Sequence, residues 1–296
     1  MISKNFGKLN CVWNCKCTLG EGVIWVKEHN SVYFTDIKKK LVFKYNIKNK
    51  SKKIYKFDKQ VGFISFVKKN IFILGMEREL RIVNLRNKKK IKSVFIESDK
   101  LKNRINDGKT DPNGNLWFGT MDKEERNFAN GSLYCLNKKF QLFRVDKNYI
   151  ITNGPAFLKN NILYHTDSRK REIYKIYVNK SFKILKKKVF LKFSKKEGNP
   201  DGMTVDNKGN LFVCFFGSGN ISIFNRAGIL LNKIYFPVKN LTNCVFGGRY
   251  KNELYVTSAR LFLKKEDLKE NNLSGSLFKI KLQTKGKKSR NYGYIL

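Results

Sequence analysis

An aliphatic residue followed by an aromatic one recurs six times along this chain: Val32-Tyr33, Ile71-Phe72, Leu116-Trp117, Leu163-Tyr164, Leu211-Phe212 and Leu254-Tyr255. Successive aromatics are 39, 45, 47, 48 and 43 residues apart. A second apolar anchor follows each first one (Phe43, Ile82, Tyr134, Tyr174, Ile223 and Phe278), at gaps of 10, 10, 17, 10, 11 and 23 residues. Turn residues precede most first anchors, as in Pro112-Asn113-Gly114-Asn115 and Asn207-Lys208-Gly209-Asn210. Short strand-forming runs, tight turns and a period of about 45 residues describe a β-propeller blade. No helical periodicity is long enough to compete. The expected fold is therefore all-β: a six-bladed β-propeller with four antiparallel strands per blade, in a single domain over residues 1–296.

The same register shows where chemistry should gather. Ten to twelve residues before each first anchor stands the residue that begins a blade's innermost strand: Glu21, Val61, Asn106-Asp107, Asn153, Asp201 and Asn243. A glycine follows most of them, at 22, 62, 108, 154 and 202. Innermost strands line a propeller's channel, so these positions are expected to ring its mouth. The two long anchor gaps correspond to insertions near 122–130 and 261–274. In an antiparallel meander both insertions fall on the face that carries the ring.

Glutamate, aspartate and asparagine offer hard oxygen donors, a set that suits Ca²⁺, Mg²⁺ or Mn²⁺, with Zn²⁺ admissible through carboxylates. The plainer alternative is that these residues cap strands and satisfy turn amides. The competing cluster, Cys11-x₃-Cys15-x-Cys17, lacks zinc-site spacing and a second ligand pair. Two lone histidines, His29 and His165, argue against a Ser-His-Asp or Cys-His enzyme.

Charge has to be weighed before any partner is named. Lys and Arg number 62 against 23 Asp and Glu, a net charge of +39, which raises nucleic acid as a partner. Yet the basic runs are scattered, at 38–40, 88–90, 186–188 and 285–290, and alanine occurs only at 129, 156, 227 and 259. That skew is what an AT-rich genome produces, so a nucleic-acid partner is not expected despite the charge. A hydrophobic fraction of 41% excludes a disordered chain. No apolar run approaches the ~18 residues of a membrane span, and residues 1–7 lack the apolar core of a leader. A cytoplasmic protein with reduced cysteines and no membrane partner is expected.

Several stretches then resemble the SMP-30/gluconolactonase/regucalcin-like family. They are Leu19-Gly-Glu21-Gly-Val-Ile-Trp25, Arg104-Ile-Asn106-Asp-Gly-Lys109, Asp111-Pro-Asn-Gly-Asn-Leu-Trp-Phe-Gly-Thr-Met121, Thr152-Asn153-Gly-Pro155, Pro200-Asp201-Gly-Met203 and Tyr255-Val-Thr-Ser-Ala-Arg260. The resemblance spans nearly the whole chain, and the family fold is also a six-bladed propeller. It implies a metal-dependent hydrolase that opens a small-molecule sugar lactone to the aldonic acid. It further implies one divalent cation (Ca²⁺, Zn²⁺, Mn²⁺ or Mg²⁺) with Glu21, Asn153 and Asp201 as its ligands. Asp201 is implied as the catalytic base, and Arg104 and Asn106 as the substrate-contacting pair. Glu124 is similar to an acidic residue that reaches sugar hydroxyls, although the 122–130 insertion could aim Glu125 at the ligand instead. Other classes stay open: a related propeller hydrolase acting on another ester or a phosphotriester, or a non-catalytic calcium-binding or nucleic-acid-binding propeller.

Overall fold

Five copies of the repeat each fold into one antiparallel four-stranded sheet, and the sixth supplies three strands of another, in the computed structural model, which describes residues 6–288 and 290–294. Residues 1–5, most of the stretch read for a leader, lie outside the described residues. A short strand β1 (Asn10–Trp13) precedes the repeats. Blade one is β2 (Gly20–Val26), β3 (Ser31–Asp36), β4 (Leu41–Asn46) and β5 (Lys52–Lys56). Blade two is β6 (Val61–Lys68), β7 (Ile71–Met76), β8 (Glu79–Asn84) and β9 (Lys89–Phe95). Blade three is β10 (Asn103–Thr110), β11 (Leu116–Asp122), β12 (Gly131–Leu136) and β13 (Leu142–Tyr149). Blade four is β14 (Thr152–Lys159), β15 (Ile162–Asp167), β16 (Glu172–Val178) and β17 (Ile184–Lys192). Blade five is β18 (Asn199–Val205), β19 (Leu211–Phe216), β20 (Asn220–Phe224) and β21 (Leu230–Tyr235). Blade six has three strands of its own, β22 (Leu241–Gly247), β23 (Glu253–Ser258) and β24 (Leu277–Lys281). The molecule is a six-bladed β-propeller.

The anchors occupy the positions that the repeat demands. Each first anchor, from Tyr33 to Tyr255, lies in its blade's second strand and each second anchor in the third, and all twelve are buried. Alternation puts their side chains on the faces that neighbouring sheets cover, which is why large aromatics recur there. One feature of the blades is absent from the repeat itself: blade six takes its fourth strand from the other end of the chain, since β1 pairs antiparallel with β24, Cys11 opposite Phe278. Pairing β24 in this way satisfies an edge that would otherwise present open N–H and C=O groups.

Contacts divide the chain into two compact units. The first holds the residues up to Lys56 together with Phe193–Lys288, hence blades one, five and six. Its cores are built on Phe212, Ile223, Phe246 and Phe278, and on Trp25, Phe34, Phe43 and Tyr255. The second holds Phe57–Lys192 and the C-terminal residues, hence blades two, three and four. Phe63, Ile82, Phe118 and Tyr134 form one of its cores, and Trp117, Leu163, Tyr174 and Ile176 another. Within each unit the first strands of successive blades are neighbours: β18, β22 and β2 in the first, β6, β10 and β14 in the second. Among the described residues the longest helix is α1 (Lys265–Glu270), inside the second insertion, and no helix is long and apolar enough to cross a membrane.

Candidate active site

All six first strands carry a β-bulge at the register position singled out in the sequence. The pairing with the second strand slips between Glu21 and Ile24, Val61 and Phe63, and Ile105 and Gly108. It slips again between Asn153 and Ala156, Pro200 and Met203, and Leu241 and Cys244. A bulge inserts an unpaired residue, bends the strand and re-aims a side chain. The recurring glycine serves this geometry in two ways. Gly22 and Gly154 take the left-handed backbone, at φ 57° and 77°. At Gly62 and Gly202 the missing side chain admits the neighbouring first strand: an added Cβ would lie 2.2 Å from Asn106 O and 2.4 Å from Asn243 Cγ, respectively.

In the first unit the bulges of β2 and β18 present carboxylates, and that of β22 presents an amide. Glu21 and Asp201 are 4% and 6% exposed. Glu21 Oε2 accepts the Gly22 N–H at 2.9 Å and the Asn243 Nδ2–H at 3.2 Å. Asn243 Oδ1 in turn accepts the Cys244 N–H at 2.8 Å. Gly202, adjoining Asp201, packs on the same Asn243 amide, so Asn243 links the two carboxylate-bearing bulges. Both carboxylates also act on one thiol. Burial, then Cys244, then the charges of Asp201 and Glu21 hold the Cys214 thiol far above the usual thiol range. Asn243 was visible as a ring position, and the structure makes it the polar contact that holds Glu21.

In the second unit a chain of polar contacts runs from β10 to Ser168, the residue after β15. Arg104, only 2% exposed, donates from Nη1 to Asn106 Oδ1 at 2.6 Å. Asn106 Nδ2 donates to Thr152 O at 2.7 Å and to Asn153 Oδ1 at 2.9 Å, and Asn153 Nδ2 donates to Ser168 Oγ at 2.9 Å. The structure thus brings Arg104, Asn106 and Asn153 together. Asp107, a third carboxylate of the expected ring, is spent on the backbone: Oδ1 accepts the Gly108 N–H at 2.8 Å and Oδ2 the Gly154 N–H at 3.1 Å. There the capping alternative describes the residue correctly.

The insertions stand where strand direction puts them. At the first, Lys123 N–H donates to Lys102 O at 2.7 Å, beside the start of β10. Glu125, with φ 60°, turns its carboxylate toward Arg104, with Oε1 3.7 Å from Nη2. Glu124 is not brought to Arg104 and Asn106; it is 66% exposed and faces Arg126 Nε at 3.3 Å. At the second, Arg260 N–H and Leu261 N–H donate to Cys17 O at 3.2 Å and Thr18 O at 2.9 Å, before the start of β2. The histidines stand in other surroundings: His29 Nδ1 lies 2.7 Å from Tyr33 OH, and His165 packs edge-on to Tyr149, its basicity pushed down to about 3 by burial.

The donor chemistry fits a hard cation. In the first unit Glu21 and Asp201 are two buried carboxylates, the oxygen type that such a cation takes. Among the described residues no three His, Cys, Asp or Glu side chains gather as a metal-holding group.

Known proteins resemble this chain. The family model described as "SMP-30/Gluconolactonase/LRE-like region" matches residues 19–260, a span that contains every residue of the candidate site. Regucalcin of Sus scrofa is 31% identical over 282 residues, which cover 92% of this chain and 94% of that protein. A candidate sugar lactone lactonase of Bacillus subtilis (strain 168) is 31% identical over 278 residues, again 92% and 94%. Among solved structures, a luciferin-regenerating enzyme matches with a TM-score of 0.89 at 31% identity, covering 98% of this chain and 100% of that one.

Proposed function

The chain belongs to the SMP-30/gluconolactonase/LRE-like family, and from that membership we propose that it hydrolyses a sugar lactone to the aldonic acid. The observation that carries the proposal is the set of bulges. Four of the six fall on Glu21, Asn106, Asn153 and Asp201, the residues that a ligand-and-contact assignment needs.

A divalent cation (Ca²⁺, Zn²⁺, Mn²⁺ or Mg²⁺) is part of the proposal: held by Glu21, Asn153 and Asp201, it would polarise the lactone carbonyl and acidify water. The chain's own groups do the rest. Asp201 accepts the proton of the water that attacks the carbonyl carbon, and the ring C–O bond then breaks with that proton passing to the leaving oxygen. Arg104 stabilises the negative charge that develops at the reacting carboxyl, because a guanidinium stays protonated throughout and its Nη1 is already fixed by Asn106. Asn106 and a glutamate of the inserted turn hold the sugar hydroxyls. Geometry favours Glu125 for that role, since it faces Arg104 whereas Glu124 faces solvent.

The test is a panel of aldonolactones, plain γ-butyrolactone, simple esters and phosphotriesters, followed by acid release before and after chelation and after each of the four cations is restored. Turnover of the aldonolactones, lost on chelation and regained with a cation, is the expected result. Turnover confined to esters or phosphotriesters would move the assignment to a related propeller hydrolase. Turnover indifferent to chelation would remove the cation from the reading.

A further inference from the structure

The segment joining β1 to β2 brings two of the six cysteines into contact. Cys17 donates its thiol to Cys15, with the sulfurs 3.5 Å apart. Lys16 between them has φ 50°, a left-handed turn that a lysine adopts only where surrounding structure holds it. The clamps are visible. Cys15 N–H donates to Trp13 O at 3.0 Å, Cys17 N–H to Gly275 O at 2.8 Å, and Arg260 N–H to Cys17 O at 3.2 Å. The Cys15 thiol also reaches Gly275 O, at 3.2 Å, and Lys39 Nζ donates to Lys16 O at 2.9 Å. Gly275 itself has φ 80°, and an added Cβ would lie 2.4 Å from Cys17 O, so this loop lies against the backbone of the pair.

The two sulfurs are not equivalent. Cys17 is buried, whereas Cys15 is partly open. The bond from Cys17 favours a thiolate at Cys15 and lowers its pKa below the ordinary thiol value, while the same bond, then burial, hold Cys17 well above it. An accessible nucleophilic thiol beside a buried partner is the arrangement of an attacking and a resolving cysteine. The pair also lies outside residues 19–260, the stretch that matches the family.

We propose that Cys15 and Cys17 form a reversible intramolecular disulfide, with Cys15 as the attacking thiol, Cys17 as the resolving thiol and a low-molecular-mass disulfide, RS–SR, as the oxidant. The Cys15 thiolate attacks one sulfur of RS–SR, forming a Cys15–S–S–R bond and releasing RS⁻, which takes up the proton that Cys15 gave to solvent. Cys17 then loses its proton and attacks Cys15 Sγ; the mixed disulfide breaks, and the second RS⁻ leaves with that proton as RSH. Two protein thiols are oxidised and one RS–SR is reduced to two RSH. A ring closed across a single intervening residue is strained, and strained bridges are the readily reduced ones. The bridge would fix the joint between β1, which completes blade six, and β2, which begins blade one.

Lys16 makes the test direct, because trypsin cuts between the two cysteines and separates them unless they are bridged. Reduced full-length protein is equilibrated in glutathione buffers from fully reduced to fully oxidised, denatured in iodoacetamide, digested and mapped by mass. The expected result is that Cys15 and Cys17 lose alkylation together in oxidised buffer, their peptides staying linked with two hydrogens fewer, and regain it with dithiothreitol. Cys17→Ser should stop at a glutathione adduct on Cys15, and Cys15→Ser should leave Cys17 alkylated. Free thiols at both positions in fully oxidised buffer, or a bridge from either one to Cys11, would overturn the proposal. The wild-type map decides this even if a variant fails to fold.

Discussion

The two units solve the same problem with opposite chemistry. Each aligns three bulged first strands, yet the first unit places two carboxylates and one amide on them, and the second a guanidinium, two amides and a carboxylate bonded to backbone N–H groups. In the second unit the buried groups bond one another in a continuous chain, Arg104 to Asn106 to Asn153 to Ser168. That half is preorganised by its own hydrogen bonds, and its residues carry stability as well as position. In the first unit two buried carboxylates adjoin one amide, Asn243, and the proposed function gives those carboxylates to a cation. Replacement should therefore mainly cost chemistry in the first unit and both chemistry and folding in the second.

Asp201→Ala is expected to show the largest effect, a fall in kcat/KM of about 10²–10⁴-fold, the range for removing a general base. Its cation-free melting temperature should move less than that of a second-unit variant, and a larger loss of stability than of turnover would break the comparison. Asn106→Ala removes the partner of Arg104, of Asn153 and of Thr152 O at once. Each buried group left without a partner costs about 1–3 kcal/mol, so a clear drop in melting temperature should accompany weakened activity. That activity loss should be greater on hydroxylated sugar lactones than on γ-butyrolactone, which has no hydroxyls to hold. Equal losses on both lactones would remove the hydroxyl-binding role.

Asp107→Ala sharpens the distinction within the second unit. It should destabilise by about 1–3 kcal/mol in chemical denaturation, because the Gly108 and Gly154 N–H groups lose their acceptor, while turnover per folded molecule changes little. Glu124→Gln is expected to have the smallest effect, within about 0.5 kcal/mol of stability and with kcat/KM unchanged, as befits an exposed ion pair. Glu125→Gln should lower kcat/KM on sugar lactones. The reverse ranking of these two variants would restore Glu124 to the substrate.

Much of this was legible before any coordinate. The anchors could be read because burial on both faces of a sheet favours large apolar side chains, and the six first anchors from Tyr33 to Tyr255 repeat that demand every 39 to 48 residues. The candidate positions could be picked out because they stand 10 to 12 residues before those anchors. The bulges could not, since they are slips in a backbone hydrogen-bond ladder, and the polar-glycine pairs were only their trace. β1 carries no anchor to mark it as the strand that completes blade six.

Sequence alone determined the blade number, the strand order within the first five blades and the chemical character of the six bulge positions, because those follow from periodicity and side-chain type. Tertiary structure decided how each group is used. It spent Asp107 on two backbone amides, although its neighbour Asn106 joined the polar chain. It turned Glu125 rather than Glu124 toward Arg104 through a single left-handed residue. It set Cys15 against Cys17 by the same device at Lys16. In each case adjacent residues of similar chemistry were separated, or brought together, by backbone geometry that distant packing imposes and that no local pattern encodes.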